Sequence, residues 1–124
     1  MIVGLGLDAC EISRMADLLK GGAFLRRYFD AGEQEYILAR GAFAAASMAG
    51  CYAAKEAFAK ALGRGFDGIR PEDIAVRHRE SGMPYYDPQR TALAAMRGAG
   101  AARALLSVTH EAGVAMAVCV LEGE

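Results

Sequence analysis

Four side chains stand where their types and spacing permit chemistry: Asp8, Glu56, Lys60 and His110. Asp8 ends the apolar run MIVGLGLD, where a carboxylate is costly unless something pairs with it. The plainer reading is a residue that favours the first turn of a helix starting just beyond it. Glu56 and Lys60 are four apart and so share one helical face. An exposed ion pair is the ordinary outcome of that spacing. Here, however, the flanking residues are almost all Ala, Phe and Leu. The segment ends in Gly63-Arg64-Gly65, open backbone with a cation that suits a phosphate. A helix is negative at this end, so attraction for an anion has to come from the loop and Lys60. His110 follows Ser107-Val108-Thr109 at a strand end, a place for ligand contact or for a satisfied structural histidine. Two carboxylates can hold Mg²⁺, which keeps several waters and takes phosphate oxygens as further ligands. With a lysine added, such a set suits displacement at a diphosphate. Spacing alone does not make the four converge.

The elements that must position them follow from periodicity. Residues 2–9 are apolar and glycine-interrupted and read as a buried strand closed by Asp8. Ile12, Met15, Leu18 and Leu19 have helical spacing over 11–20, and Gly21-Gly22 stops that helix. Residues 23–29, AFLRRYF, form a short basic and aromatic stretch. Asp30 and Glu33 have the spacing of a loose capping box before a further helix. Residues 44–62 predict the longest helix. Residues 73–80 alternate as a half-exposed strand, with His78 solvated or structural, and Tyr85-Tyr86 start a short return after a turn. Residues 89–98 read as a helix, and 104–110 with 113–121 as a hairpin about Glu111-Ala112. On the last strand Val114, Met116, Val118 and Val120 fill one face, and Ala115, Ala117, Cys119 and Leu121 the other. Neither face is polar, so both should be covered, one of them by a neighbouring subunit.

The totals narrow the possibilities. A chain of 124 residues fits one domain, 1–124. A net charge of −1 lends nothing to a nucleic-acid role. No apolar run is long enough to span a membrane and no basic leader opens the chain, so a cytoplasmic protein is expected. Cys10, Cys51 and Cys119 are odd in number and scattered, which argues for free thiols and not for a disulfide or zinc framework.

Gly4-Leu5-Gly6-Leu7-Asp8, Ala54-Lys55-Glu56-Ala57 with Lys60-Ala61-Leu62-Gly63, and Ser107-Val108-Thr109-His110 together resemble the holo-acyl-carrier-protein synthases, the short bacterial phosphopantetheinyl transferases. Asp73-Ile74 and Gly82-Met83-Pro84 match weaker positions of that family. The resemblance implies an α+β fold, a small antiparallel sheet packed with helices, in a homotrimer with active sites between subunits. It implies Mg²⁺-dependent transfer of 4′-phosphopantetheine from coenzyme A to a serine of apo-acyl carrier protein, leaving adenosine 3′,5′-bisphosphate, in support of fatty acid biosynthesis. Asp8 and Glu56 would hold the metal. Lys60, Gly63, Arg64 and Gly65 would hold the coenzyme A phosphates, and His110 the phosphate-bearing end of the nucleotide. The serine's base stays open between Glu56 acting through water, His110 and Glu111. Arg14, Arg26 and Arg27 would dock the acidic carrier protein. One position departs from the pattern. Many relatives carry arginine where this chain has Cys51, and Arg64 or Arg79 is the expected substitute. A non-catalytic coenzyme A or carrier-binding module, or a plain oligomeric domain, stays compatible with the residues alone.

Overall fold

The computed structural model describes residues 1–124. Strand β1 (Ile2–Glu11) leads into α1 (Ile12–Gly21), α2 (Ala23–Tyr28), α3 (Ala31–Leu38) and the long α4 (Ala44–Ala61). A ribbon of β2 (Ile74–His78) and β3 (Pro84–Pro88) follows, then α5 (Arg90–Gly98) and a hairpin of β4 (Arg103–Glu111) and β5 (Val114–Glu122). The main sheet has three antiparallel strands in the order β1-β5-β4, and β2-β3 stand apart as a pair. The α+β architecture with a small antiparallel sheet is therefore as expected.

Two local expectations need correction. Asp8 does not close β1, because Ala9, Cys10 and Glu11 go on pairing with Met116, Ala115 and Val114. It does not cap α1 either. The capping position is Glu11, which makes no side-chain cap bond. The stretch 23–29 coils into α2 after Gly22, whose left-handed φ of 75° ends one helix and starts the next.

The core forms where α4 crosses the inner face of the sheet. Most of α4 is buried on all sides, including Met48, Ala53, Ala54, Ala57 and Phe58, so its alanines serve close packing and not only helix propensity. β1 meets α4 through Gly4 and Gly6. A Cβ on Gly6 would overlap the Ala57 carbonyl oxygen and lie 2.7 Å from the Ala61 nitrogen, and one on Gly4 would overlap the Ala61 carbonyl. The two glycines let strand backbone touch helix backbone, which fixes how β1 sits against α4.

A second device holds α4 from its other side. Asp30 caps α3 by accepting from the Glu33 N–H at 2.9 Å, and Glu33 accepts from the Asp30 N–H at 3.0 Å. Glu33 also accepts from Lys55 Nζ at 2.8 Å and from the Val76 N–H at 3.1 Å. Lys55 in turn donates to the carbonyls of Pro71 and Ile74 at 3.0 and 2.8 Å, and lies 4.9 Å from the Phe29 ring centre. Both side chains are fully buried, and every polar atom is satisfied. Burial pushes the Glu33 carboxyl up, opposed by the Lys55 ammonium.

The outer face of the sheet is bare in the single chain. Leu5 is 67% and Leu7 64% exposed, beside Leu105 and Met116. β5 is covered by this chain on its inner face only, and β1, expected to be a buried strand, leaves Leu5 and Leu7 open, since nothing in this chain reaches the outer face.

Candidate active site

The close approach at Gly4 and Gly6 sets Asp8 against the last turns of α4. Lys60 Nζ donates to Asp8 Oδ1 at 3.0 Å and to the Leu7 carbonyl at 3.1 Å. Asp8 is largely covered, whereas Lys60 is half open to solvent. Lys60 thus pairs with the strand residue and not with Glu56 one turn earlier. Glu56 is half-buried and makes no ion pair. The phenol of Tyr52, one turn before it, is pushed above its ordinary 10.0, first by burial and then by a hydrogen bond to Glu56. The sequence reading missed Tyr52, although its position four before Glu56 was a signal. Asp8 and Lys60 are therefore in contact at the edge of the sheet, and Glu56, a second carboxylate without a cation, lies one turn before Lys60 on α4. This set fits a divalent ion that keeps most of its waters. No cluster of three or more acidic, histidine or cysteine side chains offers a fuller cage.

His110 lies elsewhere. It belongs to β4, whereas Asp8 belongs to β1, and these are the two edges of the sheet, about 10 Å apart. Its Nε2 is 3.0 Å from the Ala46 carbonyl, near the start of α4, and Gly50 leaves room for the ring. Ala46 and Lys60 are separated by about 20 Å along the helix axis. Within one chain the structure therefore brings Asp8 and Lys60 together, with Glu56 one helical turn from Lys60, and leaves His110 on the other flank of α4. Glu111 follows it, exposed at the hairpin end, where Ala112 and Gly113 turn the chain with φ of 52° and 78°.

The remaining predicted residues surround the first group. Gly63, with φ of 77°, ends α4, and its N–H bonds the Lys60 carbonyl at 2.9 Å. Arg64 and Gly65 continue as an exposed loop, with Arg64 lining a cavity beside Leu62 and Thr91. Arg14 on α1 lies 5.7 Å from the centre of the Tyr52 ring, which packs with Phe24 and Tyr28. Arg26 and Arg27 occupy the last turn of α2. These three arginines make no ion pair within the chain, so a basic and aromatic surface runs up to Glu56 through Tyr52. Cys51 is buried, and desolvation pushes its thiol up to about 12, so it is a neutral packing residue.

Residues 4–119 match the family model described as the 4′-phosphopantetheinyl transferase superfamily. The holo-acyl-carrier-protein synthase of Treponema denticola is 46% identical over 123 residues, covering 99% of this chain and 100% of the relative. The crystal structure of the corresponding synthase from Neisseria meningitidis superposes with a TM-score of 0.89 at 31% identity, over 98% of this chain and 99% of that one. A Bacillus anthracis synthase in complex with CoA (3′,5′-ADP) gives 0.83 at 30% identity, over 100% and 99%.

Proposed function

We propose, for a chain that belongs to the 4′-phosphopantetheinyl transferase superfamily and acts as a holo-acyl-carrier-protein synthase, a Mg²⁺-dependent reaction between coenzyme A and apo-acyl carrier protein at sites shared between subunits. The whole of 1–124 acts as one domain. The serine oxygen of the carrier attacks the phosphorus that bears pantetheine. A new P–O bond forms, the bond to the other phosphate of the diphosphate breaks, and adenosine 3′,5′-bisphosphate departs while the serine proton passes to a base. Asp8 and Glu56 would hold the metal. When bound, the ion neutralises charge on the diphosphate and orients its oxygens.

The chain's own residues have separable tasks. An ammonium has three donors, and Lys60 spends two of them on Leu7 and Asp8, leaving one for a phosphate oxygen. Glu56, without an internal cation, is free to act as a ligand or through water as the base, with His110 and Glu111 as the other candidates. The Gly63–Gly65 backbone, with Arg64, faces the diphosphate. Arg14, Arg26 and Arg27 meet an acidic carrier, where exposed charges chiefly raise the encounter rate.

The observation that carries the reading is the Asp8–Lys60 contact beside an unpaired Glu56. The division of charges across α4 supports the trimer: a site that uses both flanks needs a second subunit, and the bare face of Leu5, Leu7, Leu105 and Met116 offers a surface to bury. Buried free thiols at Cys10, Cys51 and Cys119 accord with a reducing cytoplasm, and no single helix is long and apolar enough to cross a membrane. The test is intact mass. Apo carrier protein should gain the phosphopantetheine mass only with coenzyme A and Mg²⁺. Full activity in Glu56→Ala would remove the metal assignment.

A further inference from the structure

Asp8 and Glu56 are held in different ways. Asp8 accepts from the Lys60 ammonium at 3.0 Å, whereas Glu56 has no cation to orient it. Its side-chain partner is the phenol of Tyr52, four positions earlier, which donates a hydrogen bond to the carboxylate. Helix geometry brings the two together. Side chains on a helix lean back towards its N-terminus, so Glu56 lies over the turn that carries Tyr52. The Tyr52 ring is itself fixed. It is half-buried, with the ring centres of Phe24 and Tyr28 at 5.4 and 6.2 Å, and the Arg14 guanidinium lies 5.7 Å from its own centre. Phe24 and Tyr28 in turn pack on each other at 4.5 Å. A phenylalanine would fill this aromatic cluster as well, so packing accounts for the ring and not for the hydroxyl. A hydroxyl on a fixed ring, donating to one carboxylate oxygen, restricts the carboxylate and leaves its second oxygen free to bind.

We infer that Tyr52 is a positioning residue for the transfer reaction: its hydroxyl, on a ring wedged against Arg14 and Phe24, fixes the Glu56 carboxylate in the orientation that takes the metal. The inference rests on the reading above, in which Asp8 and Glu56 hold the ion. Each ligand then has an outer partner, Lys60 behind Asp8 and Tyr52 behind Glu56. Such partners set the angle of a metal-binding carboxylate and limit its swing. A neutral donor suits the second place. A cation on each carboxylate would cancel the charge that attracts a divalent ion, whereas a phenol orients the group and leaves its charge intact.

The test removes the hydroxyl alone. Free Mn²⁺ followed by electron paramagnetic resonance, in a titration with coenzyme A present and carrier protein absent, reads ion binding without turnover. Tyr52→Phe should weaken Mn²⁺ binding by about 10- to 100-fold, the range for loss of an outer partner, with the thermal midpoint unchanged. In transfer assays its loss of kcat/KM should be large at low Mg²⁺ and shrink as Mg²⁺ is raised, which a general loss of structure would not do. In a Glu56→Gln background, Tyr52→Phe should change Mn²⁺ binding no further, because the hydroxyl acts through that carboxylate. Wild-type affinity in Tyr52→Phe beside a loss in Glu56→Gln would overturn the proposal and leave the metal reading standing. Wild-type affinity in both variants would overturn both. A Tyr52→Phe loss that stays the same size in the Glu56→Gln background would also overturn the proposal, since Tyr52 would then act by another route.

Discussion

Lys60 shows how far a residue's neighbours in sequence mislead about its neighbours in space. Four positions from Glu56, it reads as half of a helical ion pair, yet its ammonium goes to Asp8, 52 positions away. The reason lies in Gly4 and Gly6, which remove the side chains that would hold β1 off the helix. Residue types at the site were legible because carboxylates and a lysine in an apolar setting are costly without a purpose. Their pairing was not, because it depends on a backbone contact that no periodicity encodes. Lys60→Ala should lower kcat/KM by about 10²- to 10³-fold, the scale for losing one preorganised donor to a developing charge, with little change in thermal midpoint. Steady-state kinetics beside a melting curve decides this. A large fall in the midpoint would mean that Lys60 chiefly holds β1 in place.

Elements were legible in proportion to their length. The strong period of α1 and the unbroken apolar run of β5 gave both away. The six residues of α2 are too few to show a period, and the extension of β1 past Asp8 depends on pairing with β5. The clamp between α3, β2 and α4 was also hidden. Lys55 in an alanine-rich helix was a signal, but Glu33 as its partner emerges only from the fold. Lys55→Met leaves a buried carboxylate alone and should cost about 3–5 kcal/mol, and adding Glu33→Met should restore most of it. Denaturant unfolding of the two variants checks the sign of that coupling. Acid should loosen the same junction. Burial raises the Asp30 carboxyl, but the hydrogen bonds from Arg77 and the Glu33 N–H, with the charges of Arg77 and Lys55, together outweigh it and hold the group below its ordinary 3.8. A carboxyl depressed in the folded state contributes stability above its unfolded value, and that contribution is lost as pH falls through the folded value. Melting midpoints measured downward from pH 6 should therefore fall more steeply below about pH 4 in the wild type than in Asp30→Asn. Parallel curves would show that Asp30 contributes nothing.

For the whole molecule, the apolar composition of β5 led to the expectation of a second covered face, and in the single chain the outer face of β1, β5 and β4 is bare. What the sequence could not reveal is that its four candidate residues are split between the flanks of α4. If each site takes Asp8 from one subunit and His110 from the next, two inactive variants can complement each other. Asp8→Ala and His110→Ala proteins, unfolded together in equal amounts and refolded, should recover about a quarter of the wild-type sites, because each site needs an intact contribution from both neighbours in a closed ring. Carrier-protein mass gain after co-refolding measures it, and activity no greater than the sum of the two variants would show that the residues serve one subunit. The split also has a genetic meaning. A cell holding two alleles of this gene, each dead by itself, would live if the lesions fell on opposite sides of α4 and would die if they fell on the same side, so a cross between mutants could map the two halves of the site.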